Sequence, residues 1–139
     1  MYNIVIASHG PFAEAMKNSV KLFFPDERKI TTVSIGEKGL TSFQIDLDKI
    51  FNSIEGQSTL FLVDLSYGTP FNEIAKRIFL VKNDSDIIAG ANMPTLIEAI
   101  NMRNQGYSLQ EVIPRLMNIS KLQTYSEKLK KIQNNPEDE

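Results

Sequence analysis

The chain contains a single histidine, His9, and its neighbours favour a chemical role for it. The residue follows Asn3–Ala7, a run rich in β-branched residues that is typical of a strand buried on both faces. Gly10 lets the backbone approach an anion, and Pro11 begins a predicted helix whose N-terminus offers partial positive charge. A neutral imidazole is a nucleophile near pH 7. His9 is therefore a candidate acceptor for a phosphoryl group.

An aspartate at the end of another strand is the candidate partner for this histidine. Asp64 follows Thr59–Val63, the clearest buried strand, and the loop after it contains Gly68 and Thr69 before a helix begins at Pro70. A carboxylate that accepts the proton of one ring nitrogen fixes the tautomer and turns the lone pair of the other nitrogen outward. It also stabilises the positive ring that forms on phosphorylation, and Thr69 adds a hydroxyl donor.

Each of these residues also has a purely structural interpretation. A lone histidine in a small protein is often structural or incidental, and Asp64 could simply cap the helix that begins at Pro70. Gly68, Thr69 and Pro70 could form only a turn. The two interpretations differ in whether the side chains of His9 and Asp64 meet.

The rest of the pattern predicts strands that alternate with helices. Hydrophobic periodicity, with prolines or capping residues at the helix starts, defines these elements. Four strands are predicted, at Asn3–Ala7, Lys29–Ile35, Thr59–Val63 and Asp86–Gly90. Four helices are predicted at Phe12–Phe24, about Thr41–Ile54, Pro70–Val81 and Thr95–Asn104, and a last helix begins at a capping box at Ser108.

This alternation predicts an α/β fold of three layers, with a doubly wound, mainly parallel sheet of strand order 2-1-3-4. In that order the first and third strands are neighbours at the point where the strand order reverses. Open α/β sheets bind their ligands at this point. We therefore expect His9 and Asp64 to face each other across one crevice.

Composition and charge exclude several classes of protein. The 139 residues suit one domain, predicted at 1–133, followed by a polar, acidic tail at 134–139 that we expect to be disordered. The lack of cysteine, with only one histidine, excludes disulfides and thiolate or histidine-cluster metal sites, and no cofactor is indicated. A net charge of −2 argues against a nucleic-acid partner. The chain has no run of about 18 apolar residues and no signal-peptide pattern, so a cytoplasmic location is predicted.

Three ordered motifs resemble the IIA component of the mannose/fructose/sorbose family of the bacterial sugar phosphotransferase system. They span residues 1 to about 105 and comprise Ile4–Gly10, Leu62–Leu65 with Gly68–Asn72, and Ile88–Glu98. In this family, the histidine after the first strand accepts a phosphoryl group from the phosphocarrier protein HPr. It passes the group to a IIB component, which phosphorylates sugar that enters through membrane components.

The resemblance implies a role for each candidate residue. His9 and Asp64 are the implied catalytic residues, with Asp64 orienting and charge-balancing the ring. Gly10, Gly68 and Thr69 are the implied phosphoryl-binding residues. The resemblance also implies a homodimer, in which a C-terminal edge strand can swap between subunits.

The chain departs from the family pattern at two places. The family loop commonly has two adjacent glycines before its Thr/Ser-Pro pair, but the first is Tyr67 here. A tyrosine at positive φ is strained, so we expect the loop to shift and Tyr67 to alter the partner-facing surface. In the C-terminal third, Pro114 is expected to kink the last predicted helix. Residues Lys121–Gln133 form either a helix or a short strand near Thr124–Ser126.

Two other functions are compatible with these motifs. One is the phosphoryl-donor subunit of dihydroxyacetone kinase, which shares the fold and the histidine. The other is a non-catalytic regulatory domain, like the IIA-like domains attached to transcription activators. The kinase subunit often continues into extra domains, so the end of this chain at Glu139 disfavours it. The complete set of His9, Asp64 and Thr69 in a chain that starts at Met1 favours the sugar-transport phosphocarrier over the regulatory domain.

Overall fold

A four-stranded parallel sheet forms the centre of the fold in the computed structural model, which describes residues 1–27 and 29–134. The strand order is β2-β1-β3-β4, as predicted. The strands are β1 (Asn3–His9), β2 (Ile30–Ile35), β3 (Thr59–Val63) and β4 (Asp86–Ala89). They lie where the sequence predicts them, with small differences at their ends.

Helices cover both faces of this sheet and give the three layers expected from the sequence. One face carries α1 (Phe12–Val20), α4 (Met93–Asn104) and α5 (Leu109–Ile119). The other carries α2 (Gly39–Ser53) and α3 (Thr69–Ala75).

The central strand β1 has an apolar middle, Ile4–Ala7, because both of its faces are covered there. Successive side chains of a strand point to opposite faces. Ile4 and Ile6 therefore pack into the core on one side of the sheet, and Val5 and Ala7 pack into the core on the other. All four residues are buried, which explains the unbroken apolar run that marks this strand in the sequence.

Two helices end earlier than their periodicity predicts. The helix α1 stops at Val20 rather than Phe24, and the exposed Leu22 and Phe23 would gain no buried contact from a longer helix. The helix α3 stops at Ala75, and a 3₁₀ turn follows at Ile78–Leu80. There the Leu80 carbonyl accepts the N–H of Gly56 at 2.9 Å, so the chain leaves the helix axis to reach the amino end of β3.

The helix α5 begins at the predicted capping box and continues through its internal proline. The backbone N–H of Ser108 donates to Glu111 Oε1 at 3.2 Å, and both hydrogen bonds of the box are present. Pro114 lacks the N–H that would bond one turn back, yet the helix runs on to Ile119. Val112 and Leu116, on either side of the proline, are fully buried and hold both halves on the core.

The C-terminal segment is a helix, so the alternative of a short strand near Thr124–Ser126 is wrong. The helix α6 (Tyr125–Asn134) contains no buried residue, and Thr124 Oγ1 accepts the N–H of Glu127 at 3.1 Å. Within residues 1–27 and 29–134 no strand follows β4, and an exchanged edge strand is therefore not part of this structure. Asn134, the first residue of the predicted tail, ends α6, and residues 135–139 lie outside the described residues.

Candidate active site

The carboxyl edge of the sheet brings the two predicted site residues together. Ala7 is paired with Val63 across the neighbouring strands β1 and β3, so the ends of these strands lie side by side. His9 ends β1, and Asp64 directly follows β3. Their side chains meet, with 3.0 Å between His9 Nδ1 and Asp64 Oδ2. The geometry agrees with the expectation that they share one crevice.

One oxygen of Asp64 holds His9 at two points. Besides its contact with Nδ1, Oδ2 accepts the backbone N–H of His9 at 2.9 Å. An ionised carboxylate is only an acceptor, so Nδ1 carries the proton in this contact and Nε2 keeps its lone pair. The side chain of His9 is 43% exposed and that of Asp64 is 16% exposed, so Nε2 belongs to the more exposed partner of the pair.

Asp64 does not act as the cap of the helix that follows it. The N-cap of α3 is Gly68, whereas the hydrogen bonds of the Asp64 carboxylate within the described residues go to His9. Its second oxygen, Oδ1, is buried and meets no hydrogen-bond donor in the part of the chain that is described. Such an oxygen is stabilised when a positive charge forms beside it. The arrangement therefore suits an imidazole that becomes cationic.

Gly68 forms a wall against the edge of the imidazole. A Cβ atom built on Gly68 would lie 2.8 Å from His9 Cε1 and 3.4 Å from Nε2, which leaves no room for a larger residue while the ring stays in place. The φ angle of Gly68 is an ordinary −78°, so the close approach, not the backbone conformation, requires glycine. Thr69, the next residue, begins α3 and is partly buried.

Gly10 shapes the turn between β1 and α1. Its φ angle is +61°, in the left-handed region that favours glycine. Its N–H donates to the Ile35 carbonyl at 2.8 Å, so this amide proton is already engaged. No atom lies within 4 Å of a Cβ built on Gly10. Gly10 thus has a conformational role beside His9, and its amide is not a free anion donor.

Ser8 also supports the site, although the sequence did not single it out. Its side chain is fully buried, and its Oγ accepts the Ala13 N–H at 2.8 Å and donates to the Gly10 carbonyl at 3.1 Å. Ser8 therefore ties the first turn of α1 to the turn beside His9. The signal in the sequence was a lone hydroxyl residue at the end of a fully apolar strand.

The loop after Asp64 keeps a left-handed residue at Tyr67, so the expected shift of this loop is wrong. The φ angle of Tyr67 is +59°, the one positive φ found on a non-glycine residue in the described chain. For such a residue this conformation costs about 1–2 kcal/mol. Asn72 Nδ2 donates to the Tyr67 carbonyl at 3.0 Å, and the Tyr67 ring is tilted against Phe71 with the centroids 5.3 Å apart.

The fold and the site together define a doubly wound α/β domain with a histidine–aspartate pair where its strand order reverses. The chain belongs to the family described as PTS system fructose IIA component, whose family model matches residues 3–117. The family that the motifs indicated is thereby confirmed. The chain is a IIA-type phosphotransferase component of a sugar phosphotransferase system.

Individual relatives and solved structures agree with this membership. The chain is 31% identical to the fructose-specific EIIA component of Bacillus subtilis, over 95% of this chain and 92% of the relative. It is 33% identical to the sorbose-specific EIIA component of Lacticaseibacillus casei, over 84% and 83%. The mannose/sorbose specific IIA subunit from Enterococcus faecalis has a similar structure, with a TM-score of 0.77, 27% identity, and coverage of 88% of this chain and 93% of that one. Across residues 1–27 and 29–134, no helix is both long and apolar enough to span a membrane.

Proposed function

We propose that this chain is a phosphocarrier that accepts a phosphoryl group from HPr on His9 and passes it to a IIB component during sugar uptake. The main support is the 3.0 Å contact between His9 Nδ1 and Asp64 Oδ2. This contact holds one ring nitrogen as a donor and leaves the other, Nε2, with a lone pair on a partly exposed ring. Membership of the IIA family supports the choice of partners.

The transfer needs no proton movement at His9. The Nε2 lone pair forms a bond to phosphorus while the bond from phosphorus to the donor atom of HPr breaks, and the electron pair of that bond leaves with the donor. The ring then carries a positive charge, and its Nδ1 proton stays on the hydrogen bond to Asp64. The carboxylate offsets that charge in a partly desolvated setting, where the interaction is stronger than in water. Transfer to the IIB component follows the same steps with the roles exchanged.

The phosphoryl oxygens are bound by the loop that faces the ring. Gly68 lies against the Cε1–Nε2 edge, and Thr69 follows it at the start of α3. The Thr69 hydroxyl and the neighbouring backbone donate to the oxygens, while Gly10 keeps the other side open because no side chain stands there. Electrostatic stabilisation of this kind supplies much of the rate of phosphoryl transfer.

The two protein partners use the same atom in turn. The chain has one histidine, so HPr and the IIB component cannot occupy the site together. The exchange takes place in the cytoplasm, and the membrane components are reached only through IIB. The carrier works as a homodimer.

Phosphoryl uptake in a reconstituted mixture tests this function. We expect intact-mass measurement, after mixing with phosphoenolpyruvate, enzyme I and HPr, to show one acid-labile phosphoryl group on the wild type and none on His9→Ala. The ring of His9 is a surface group, so this variant is expected to fold normally. Undiminished uptake by His9→Ala would contradict the proposal.

A second arm of the same experiment separates the roles of the two residues. Asp64→Asn keeps the shape of the side chain but loses the charge that balances the ring. We expect uptake to continue at a rate at least tenfold lower, since each tenfold corresponds to about 1.4 kcal/mol of barrier. The matched control is Asp84→Asn, at the amino end of the sheet, where Asp84 accepts the Ser58 hydroxyl at 2.8 Å. An Asp64→Asn variant as fast as this control would leave Asp64 without a role in transfer.

A further inference from the structure

The loop that ends at Gly68 presents exposed apolar side chains beside His9, the proposed phosphoryl acceptor. Leu65 and Tyr67 stand on either side of Ser66 in the loop that ends at Gly68, and the Tyr67 side chain is 79% exposed. A Cβ built on Gly68 would lie 2.8 Å from His9 Cε1 and 3.8 Å from Leu65 Cβ, so this loop runs close beside the imidazole. A protein that delivers a phosphoryl group to Nε2 must bring its own donor atom to bonding distance of the ring. Such a protein must therefore cover this part of the loop.

The backbone at Tyr67 is pinned in its left-handed conformation by its neighbours. Asn72 Nδ2 donates to the Tyr67 carbonyl at 3.0 Å, and the next residue, Gly68, runs close beside the imidazole of His9. These neighbours lie on either side of the backbone with the φ of +59°. Glycine would adopt the same conformation without steric strain. A tyrosine here strains the backbone, and among the described residues the aromatic contact that its ring makes is the one with Phe71.

We propose that Tyr67 is a docking residue for the phosphorylated donor, which is HPr in the function proposed above. The Tyr67 ring already packs on Phe71, so part of its side-chain freedom is lost before a partner packs on it. Tyrosine is enriched among the residues that dominate binding energy at protein interfaces. The patch on the donor that it meets is apolar and surrounds the donor's phosphorylated residue. This inference rests on the proposed function.

Steady-state transfer from phosphorylated HPr to three variants of the full chain tests the assignment. Tyr67→Phe keeps the ring and is expected to keep the wild-type KM for phosphorylated HPr. Tyr67→Asn keeps a residue that tolerates the left-handed region, and Tyr67→Gly removes the strain. We expect both to raise this KM about fivefold or more, with little change in kcat. Tyr67→Gly is expected to melt no lower than the wild type, which separates lost docking from lost folding.

The control is Phe79→Ala, which removes an equally exposed aromatic ring (78% exposed) beside the amino ends of the strands. It is expected to leave the KM unchanged. An unchanged KM in both Tyr67→Asn and Tyr67→Gly overturns the docking role, while the proposed function still stands if His9→Ala takes up no phosphoryl group. A raised KM in Tyr67→Gly with a normal KM in Tyr67→Asn also overturns it, because loop rigidity is then the cause. Phosphoryl uptake by His9→Ala would instead contradict the proposed function itself.

Discussion

The orientation of His9 depends on a single carboxylate oxygen that serves two hydrogen bonds. Because Asp64 Oδ2 accepts both the backbone N–H and Nδ1 of His9, the ring is fixed relative to the end of β1 and not only to a side chain. Gly68 lies at the other edge of the ring, where an added Cβ would be 2.8 Å from His9 Cε1. The free nitrogen Nε2 thus belongs to a ring that is held in place and is still 43% exposed.

The prediction at this scale concerns the wall formed by Gly68. Gly68→Ala should fold normally, since its φ of −78° suits any residue, but the added Cβ would lie 2.8 Å from His9 Cε1. We expect the ring to move and phosphoryl transfer to slow by about tenfold to a hundredfold, as small misplacements of reacting groups do. Single-turnover transfer from phosphorylated HPr measures the change.

Gly36→Ala is the matched control for this substitution. It lies in the loop after β2, has no left-handed φ, and has open space where a Cβ would be added. We expect its transfer rate to equal that of the wild type. Equal rates in Gly68→Ala and Gly36→Ala would show that the ring does not need this wall.

At the scale of elements, the helix that carries the loop is attached to its neighbour through a buried carboxylate. Glu73 of α3 is buried, and its Oε1 accepts from Gln44 of α2 at 2.9 Å and from Arg77 at 3.1 Å, while Oε2 accepts from Lys76 at 2.8 Å. Arg77 in turn contacts Asp48 of α2 at 2.6 Å. These bonds fix α3 to α2 and so fix the position of Gly68 and Thr69 at the start of α3.

The Glu73 network predicts a specific loss of stability in acid. The hydrogen bonds from Lys76 first, and then from Gln44 and Arg77, lower the pKa of Glu73 from 4.5 to about 2 despite its burial. The unfolded chain therefore binds a proton at higher pH than the folded one. The stabilisation is complete above about pH 4.5 and is lost as the pH falls towards 2.

Chemical denaturation of Glu73→Gln at several pH values tests this contribution. We expect the free energy of unfolding of the variant to be about 2 kcal/mol lower near neutral pH, because the partly buried Arg77 loses its buried, charged partner. The difference from the wild type should shrink as the pH falls towards 2. Glu55→Gln, at an exposed turn, serves as the control and should follow the wild type throughout. A deficit in Glu73→Gln that does not change with pH would count against the assigned pKa.

At the scale of the whole molecule, the C-terminal helix α6 has no buried residue. An isolated helix of about ten residues is marginal in water, and none of α6 is buried. Its apolar side chains recur three to four residues apart and are all exposed, namely Leu122, just before the helix, and Tyr125, Leu129 and Ile132 within it. We expect a second copy of the chain to pack on these exposed side chains, since two-fold dimers are the commonest closed assembly.

Oligomeric state measured by light scattering at micromolar concentration checks this expectation. We expect a dimer for the full chain, whether phosphorylated or not, and a monomer after truncation at Ser120. That truncation keeps the contacts of Ser120 with Asn92 and Thr95 in the body of the domain. Leu129→Glu leaves the chain at full length and should also give a monomer. A monomeric wild type, or a dimer unaffected by both changes, would show that α6 is not the contact.

The sequence alone was sufficient for the fold class and for the pairing at the centre of the site. Apolar runs and proline-led helix starts depend on adjacent residues, so β1 to β4 could be located without knowing what they contact. Once the order 2-1-3-4 was inferred, the parallel direction of β1 and β3 required His9 and Asp64 to emerge at the same edge. That inference needs only the general rules of parallel sheets.

Only the tertiary structure decided the features that depend on contacts between distant parts of the chain. The need for glycine at residue 68 comes from the ring of His9, and the left-handed φ of Tyr67 is held between that contact and Asn72. The helical form of the C-terminal segment was also open in the sequence, because its amphipathic spacing and its short β-favouring stretch compete locally. The first two features are determined by contacts that only the folded chain makes, so local preference could not settle them. The C-terminal helix has no buried residue, and its form was decided between the two local preferences, with Thr124 Oγ1 accepting the N–H of Glu127.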